Sequence, residues 1–130
     1  MRKRNVGLRP TDAELEILGV LWGRGASTVR EVHDEINRVR PTGYTTVLKL
    51  MQIMTEKNLV TRDEKDRAHV YESNVARDET QRRLVGDLLD QVFEGSAANL
   101  VMQALSAKKT SQKDLQSIRK LLDELEGEGK

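Results

Sequence analysis

The sequence contains no cysteine. That excludes disulfide staples, thiolate nucleophiles, iron–sulfur clusters and cysteine-built zinc or copper sites. Aromatic residues make up 3% of the chain and prolines number 2, so aliphatic side chains and methionine must fill any core. No apolar run approaches the ~20 residues of a membrane helix. The basic start (Arg2, Lys3, Arg4, Arg9) has no apolar stretch behind it and does not read as a secretory signal. No direct membrane association is expected, and a reducing cytoplasm is the simplest location. Neither sign of charge prevails: 22 Lys+Arg against 21 Asp+Glu leave +1. The basic excess that announces many nucleic-acid binders is missing, so such a role must rest on where the cations lie.

What is there is helical periodicity with clear boundaries. A chain of 130 residues, 33% charged and 37% hydrophobic, suits one ordinary domain or two small ones. Residues 1–9 are basic and aperiodic and read as a flexible arm. Thr11-Asp12-Ala13-Glu14 is a capping box. Leu15, Ile17, Leu18, Leu21 and Trp22 follow at helical spacing until Gly23 to Gly25 stop the helix. A second box, Thr28-Val29-Arg30-Glu31, opens a helix with Val29, Val32 and Ile36 on one face, and Pro41 closes that region. Gly43 precedes a third helix, Tyr44 to Lys57, with Val47, Leu50, Met51 and Met54 at i, i+3, i+4, i+7. Asn58 stands where a left-handed cap residue belongs.

The period then changes. Leu59-Val60-Thr61-Arg62 and Ala68-His69-Val70-Tyr71 read as two strands joined by the charged turn Asp63 to Arg67. Three compact helices followed by a hairpin is the order of a winged helix-turn-helix, here over 10–75. Residues 76–126 read as three further helices, with Asp78 to Phe93, Ser96 to Leu105 and Ser111 to Leu125 carrying leucine faces. A unit of about fifty residues seldom buries enough apolar surface to stand alone. Leu84, Leu88, Leu100, Val101, Leu105, Leu115, Ile118 and Leu122 are therefore expected to meet a second copy of the chain. Residues 127–130 read as a disordered tail. The fold class is mainly α with a small β-hairpin: a winged-helix domain followed by a three-helix dimerisation domain.

The third helix is the candidate reader of DNA. Thr45 and Thr46 can donate to phosphate or base edges, Lys49 can bind phosphate or guanine acceptors, and Gln52 can read adenine. Tyr44 and the first-turn amides lie at the positive end of the helix, suited to a phosphate. The bland alternative is an ordinary solvated face. In the hairpin, Arg62, Lys65, Arg67 and His69 fit a wing lying along the backbone, against the alternative that they pair with Asp63, Glu64 and Asp66. Between Arg38 and Arg67 basic residues outnumber acidic ones. Trp22 reads as core packing, His33 as a partly buried structural histidine, and Ser27, Ser96 and Ser111 as helix starts. With only His33 and His69 and no thiols, no metal or other cofactor is expected. Nothing resembles a nucleophile–base pair, a phosphate loop or paired carboxylates, so the chain is not expected to be an enzyme. Two rival readings are a winged-helix protein-interaction module using Leu48 and Ile53, and a ligand- or metal-responsive regulator of the same architecture.

Five elements in order resemble the penicillinase-repressor family (BlaI/MecI type): Thr11-x-x-Glu14-x-x-Ile17-Leu18-x-x-Leu21-Trp22, Thr28-Val29-Arg30-Glu31-Val32, Tyr44-Thr45-Thr46-Val47, Lys57-Asn58-Leu59-Val60 and Arg67-Ala68-His69-Val70-Tyr71. The resemblance spans residues 8–75 and continues weakly to about 125. It implies a homodimeric transcriptional repressor on palindromic operator DNA, with Thr45, Thr46 and Lys49 at DNA-contacting positions and Arg67 near the backbone. It also implies release through a membrane-bound sensor metalloprotease, with cleavage falling at Gln103-Ala104 in the helix from Asn99 to Ala104. The chain departs from the family pattern at Leu48 and Ile53, at Asn58 and Asp66 where glycine is common, and at Gln103-Ala104, where the best-known members have an asparagine–aromatic bond.

Overall fold

Two reciprocal caps fix where the first helices begin. In this computed structural model, which describes residues 9–128, Thr11 Oγ1 accepts from Glu14 N (3.2 Å) while Glu14 Oε1 accepts from Thr11 N (2.9 Å). This starts α1 (Asp12–Arg24). Thr28 and Glu31 repeat the arrangement at 3.1 and 2.9 Å and start α2 (Val29–Asn37). Gly25 ends α1 at φ 91° with its N–H on Leu21 O. That backbone conformation excludes most side chains.

α3 (Tyr44–Glu56) ends in a Schellman arrangement. Asn58 takes φ 64°, Asn58 N–H donates to Thr55 O and Leu59 N–H to Met54 O. The last pairing explains a shift in the hairpin. The strands run Val60–Asp63 (β2) and Val70–Ser73 (β3), each later than the sequence suggests. Leu59 spends its amide on the helix end and offers the hairpin only its carbonyl, which accepts from Asn74 N, so the strand starts one residue later, while Ala68 and His69 fall in the tip.

One strand is not visible in the periodicity. Ser27–Thr28 forms β1, which pairs antiparallel with β3 (Ser27 opposite Tyr71), so the sheet order is β1-β3-β2. Ser27 is thus a strand residue and not a helix start. It is buried, accepts from Arg24 Nε and donates to Gly25 O. Two residues are too few to show alternation, and β1 exists only because β3 presents an edge to it.

Helices α1 to α3 and the sheet enclose one core, built of Ile17, Leu18 and Leu21, Val29, Val32 and Ile36, Val47, Met51 and Met54, and Leu59, Val60 and Tyr71. Leu50 packs at its margin. Trp22 fastens α1 to the far end of β3, its Nε1–H within 3.0 Å of Ser73 Oγ and 2.9 Å of Val75 O.

Two compact units divide at Leu84/Val85, inside α4 (Arg77–Gln91). The boundary expected near 75/76 falls later because the first turns of α4 belong with the winged unit: Thr80 and Leu84 line a small cavity there with Leu59 and Val75. The second unit contains the rest of α4, then α5 (Ala97–Ala107), capped by Ser96, and α6 (Gln112–Glu128), whose Asp114 N–H is bound by Ser111 Oγ. Gly127 and Glu128 continue α6 where a disordered tail was expected. A lone glycine costs only about 1 kcal/mol in a helix already formed. Residues 1–8 of the arm and 129–130 of the tail lie outside the described residues.

Candidate nucleic-acid interface

α3 differs from its neighbours at its start. α1 and α2 close their first-turn amides with capping boxes, whereas Gly43 offers α3 no side-chain acceptor. The first-turn N–H groups of α3 are therefore available to an external anion at the positive end of the helix dipole. Tyr44, Thr45 and Thr46 surround them and are exposed. Thr45, Lys49 and Gln52 follow at i, i+4, i+7, on one face and all exposed. Opposite them Val47, Met51 and Met54 are buried, so the core fixes which face of α3 is presented.

α2 holds that start in place. Thr42 is bound through both of its peptide groups: its N–H donates to Asn37 Oδ1 at 2.9 Å, and its carbonyl accepts from His33 Nε2 at 2.7 Å. His33 is mostly buried, as expected, and its ring meets Tyr44 edge-on at 5.8 Å and 70°. Sequence reasoning missed this role for His33, although its i, i+4 spacing to Asn37 on α2 was the available signal.

The cations sort into two sets. Arg24 pairs with Glu31, Arg38 with Glu35, Arg40 with Glu16, Lys57 with Glu14 and Arg62 with Glu64. Among the described residues from Arg24 to Arg67, the cations in no ion pair are Arg30, Lys49, Lys65 and Arg67. Neutralisation elsewhere thus leaves unpaired charge on α3, on the hairpin tip and on α2, in a chain whose net charge is only +1. Arg30 was missed because its position inside a capping box explained it fully.

The hairpin residues do not act alike. Arg67 and His69 line an open groove with Arg30, Tyr44 and Leu48. Lys65 is exposed at the tip. Arg62 is committed: it pairs with Glu64, and the Tyr71 hydroxyl and the Glu64 carboxylate hold its guanidinium above the ordinary arginine range. Leu48 rests against the core beneath the groove.

The Penicillinase repressor family profile matches residues 10–124. The chain belongs to the penicillinase-repressor family. It is 34% identical over 116 residues to the transcriptional regulator BlaI of Mycobacterium tuberculosis, covering 88% of this chain and 83% of that one. It is 20% identical over 113 residues to the penicillinase repressor of Staphylococcus aureus, covering 87% and 90%. In fold it matches the solution structure of the DNA-binding domain of the repressor BlaI, with a TM-score of 0.51 at 22% identity over 60% of this chain and 93% of that domain. Penicillinase repressors are transcriptional regulators, not enzymes, and the match to that domain agrees with the winged-helix fold expected from the order of elements.

The second unit of this penicillinase-repressor family member has little buried surface. Among its described residues Leu88, Val92, Val101, Met102, Leu121, Leu122 and Leu125 are exposed, Met102 at 66%. Leu100, Leu105, Leu115 and Ile118 are half-buried. Leu84, placed by sequence with the dimerisation residues, lies in the winged unit. Gln103 and Ala104 are exposed within α5. No described helix is long and apolar enough to cross a membrane, and the described residues contain no cluster of three or more His, Asp or Glu able to hold a metal.

Proposed function

We propose that this protein is a cytoplasmic transcriptional repressor that occupies palindromic operator DNA as a homodimer. The carrying observation is α3: its N-terminus is open, and Thr45, Thr46, Lys49 and Gln52 are exposed over a buried apolar face. α3 enters the major groove, its first-turn amides and Tyr44 take a phosphate, and Lys65, Arg67 and His69 follow the backbone from the wing. The apolar residues of α4 to α6, with Leu88, Leu100, Val101, Leu105, Leu115, Ile118 and Leu122 at the seam, join two copies. That joining sets two readers roughly 34 Å apart on one side of the duplex.

The decisive experiment is fluorescence anisotropy with the chain's own upstream duplex and a scrambled control at several salt concentrations. Tight binding to the upstream duplex, weakening steeply with salt, is the expected result. Salt-insensitive or absent binding overturns the reading in favour of a protein-docking module.

Release follows from the same architecture. Cleavage at Gln103-Ala104 by a membrane-bound sensor metalloprotease divides α5 and separates the apolar residues on either side of it. The bond lies inside a hydrogen-bonded helix, so the protease must unwind a turn before cutting. Co-expression with such a protease, followed by mass spectrometry of the fragments, tests this step; an intact chain with a lost DNA complex rejects it.

A further inference from the structure

We propose that Arg30 is a phosphate contact made from α2, outside the reading helix and the wing, and that Tyr44 is the platform that aims it. This rests on the duplex-binding reading of α3. The guanidinium of Arg30 lies over the Tyr44 ring, 5.3 Å from its centroid. The ring also meets the edge of His33, 5.8 Å away, and His33 is in turn tied to Thr42 O. Arg30 is exposed and forms no ion pair among the described residues, whereas its helix neighbour Glu31 is engaged by Thr28 and Arg24. A guanidinium stacked on an aromatic face keeps its N–H fork directed outward, the geometry that bidentate phosphate recognition needs. It borders the groove that Arg67 and His69 also line and sits beside the open amides of α3. One phosphate is therefore addressed from three sides: the helix N-terminus, the Tyr44 hydroxyl and Arg30.

A phosphate contact carries no base information, which separates this assignment from a reading contact. Arg30→Gln should weaken operator and scrambled duplex by the same factor, about tenfold, and flatten the plot of log affinity against log salt by about 0.9 per half-site. Tyr44→Leu, which leaves Arg30 in place, should reproduce part of that flattening, and Tyr44→Phe, which keeps the ring, should restore most of it. The thermal midpoint of Arg30→Gln should match wild type, since the side chain is exposed. An unchanged salt slope in Arg30→Gln overturns the assignment, as does a loss confined to the operator, which would make Arg30 a base contact. Failure of the wild-type chain to bind any duplex overturns the repressor reading itself, and with it this extension.

Discussion

Glu14 is 2% exposed, yet its carboxylate is satisfied on every side. Burial pushes its pKa up, but Thr11 N–H and the Lys57 ammonium, at 2.9 and 3.0 Å, outweigh burial and hold it below the ordinary 4.5. One side chain thus caps α1 and ties it to the end of α3. Because the folded pKa is depressed, the stabilisation is complete above the ordinary glutamate value and is lost as pH falls through the folded value. Glu14→Gln should cost roughly 2 kcal/mol at neutral pH, since it removes the buried carboxylate charge that the Lys57 ammonium faces. In urea titrations the gap between variant and wild type should narrow below about pH 4.5. A gap independent of pH would show that the ion pair contributes nothing beyond the cap. Gly25 is the second residue on which the fold depends. It takes φ 91° and ψ −164°, and a Cβ added there would meet nothing within 4 Å, so Gly25→Ala should cost about 1–3 kcal/mol from backbone strain alone, read as a lower thermal midpoint.

At the scale of elements, α3 divides its labour by face. Val47, Met51 and Met54 anchor it, and Thr45, Lys49 and Gln52 are presented. Lys49→Ala removes a presented group and touches nothing in the core. It should weaken operator binding by roughly 1–3 kcal/mol per half-site if the ammonium reads guanine, with sedimentation and thermal midpoint unchanged. Equal affinity in the anisotropy assay would remove Lys49 from the interface. The periodicity of α3 was legible because 3.6-residue spacing and a glycine before it mark both faces and the start. β1 was not legible, because a two-residue strand has no pattern of its own. The start of β2 was misplaced by one residue because the Schellman end of α3 consumes the Leu59 amide, a hydrogen bond that no local pattern of side chains announces, and the start of β3 by two because Ala68 and His69 belong to the tip.

For the whole molecule, the proposed repressor depends on joining two weak readers. Linking two half-site contacts raises effective concentration and adds avidity without any new contact. Leu122 is 53% exposed on α6, and burying a leucine side chain contributes about 1.5–3 kcal/mol. Leu122→Glu should therefore convert the proposed dimer to a monomer in sedimentation velocity. The same variant should lose operator affinity by a hundredfold or more, while the winged unit keeps its own unfolding transition. A dimer that survives this change would place the seam elsewhere on the second unit.

The order of the helices and the hairpin, both capping boxes, the buried face of α3 and the left-handed Asn58 follow from the chain alone, since each arises from residues within a few positions of one another. Family membership was legible for the same reason: five short motifs keep their spacing. Pairing across distance was settled only by the fold. That Arg40 meets Glu16, that Lys57 meets Glu14 and that Arg30 of α2 comes to rest on Tyr44 of α3 depend on contacts between separate elements, and no local period records them.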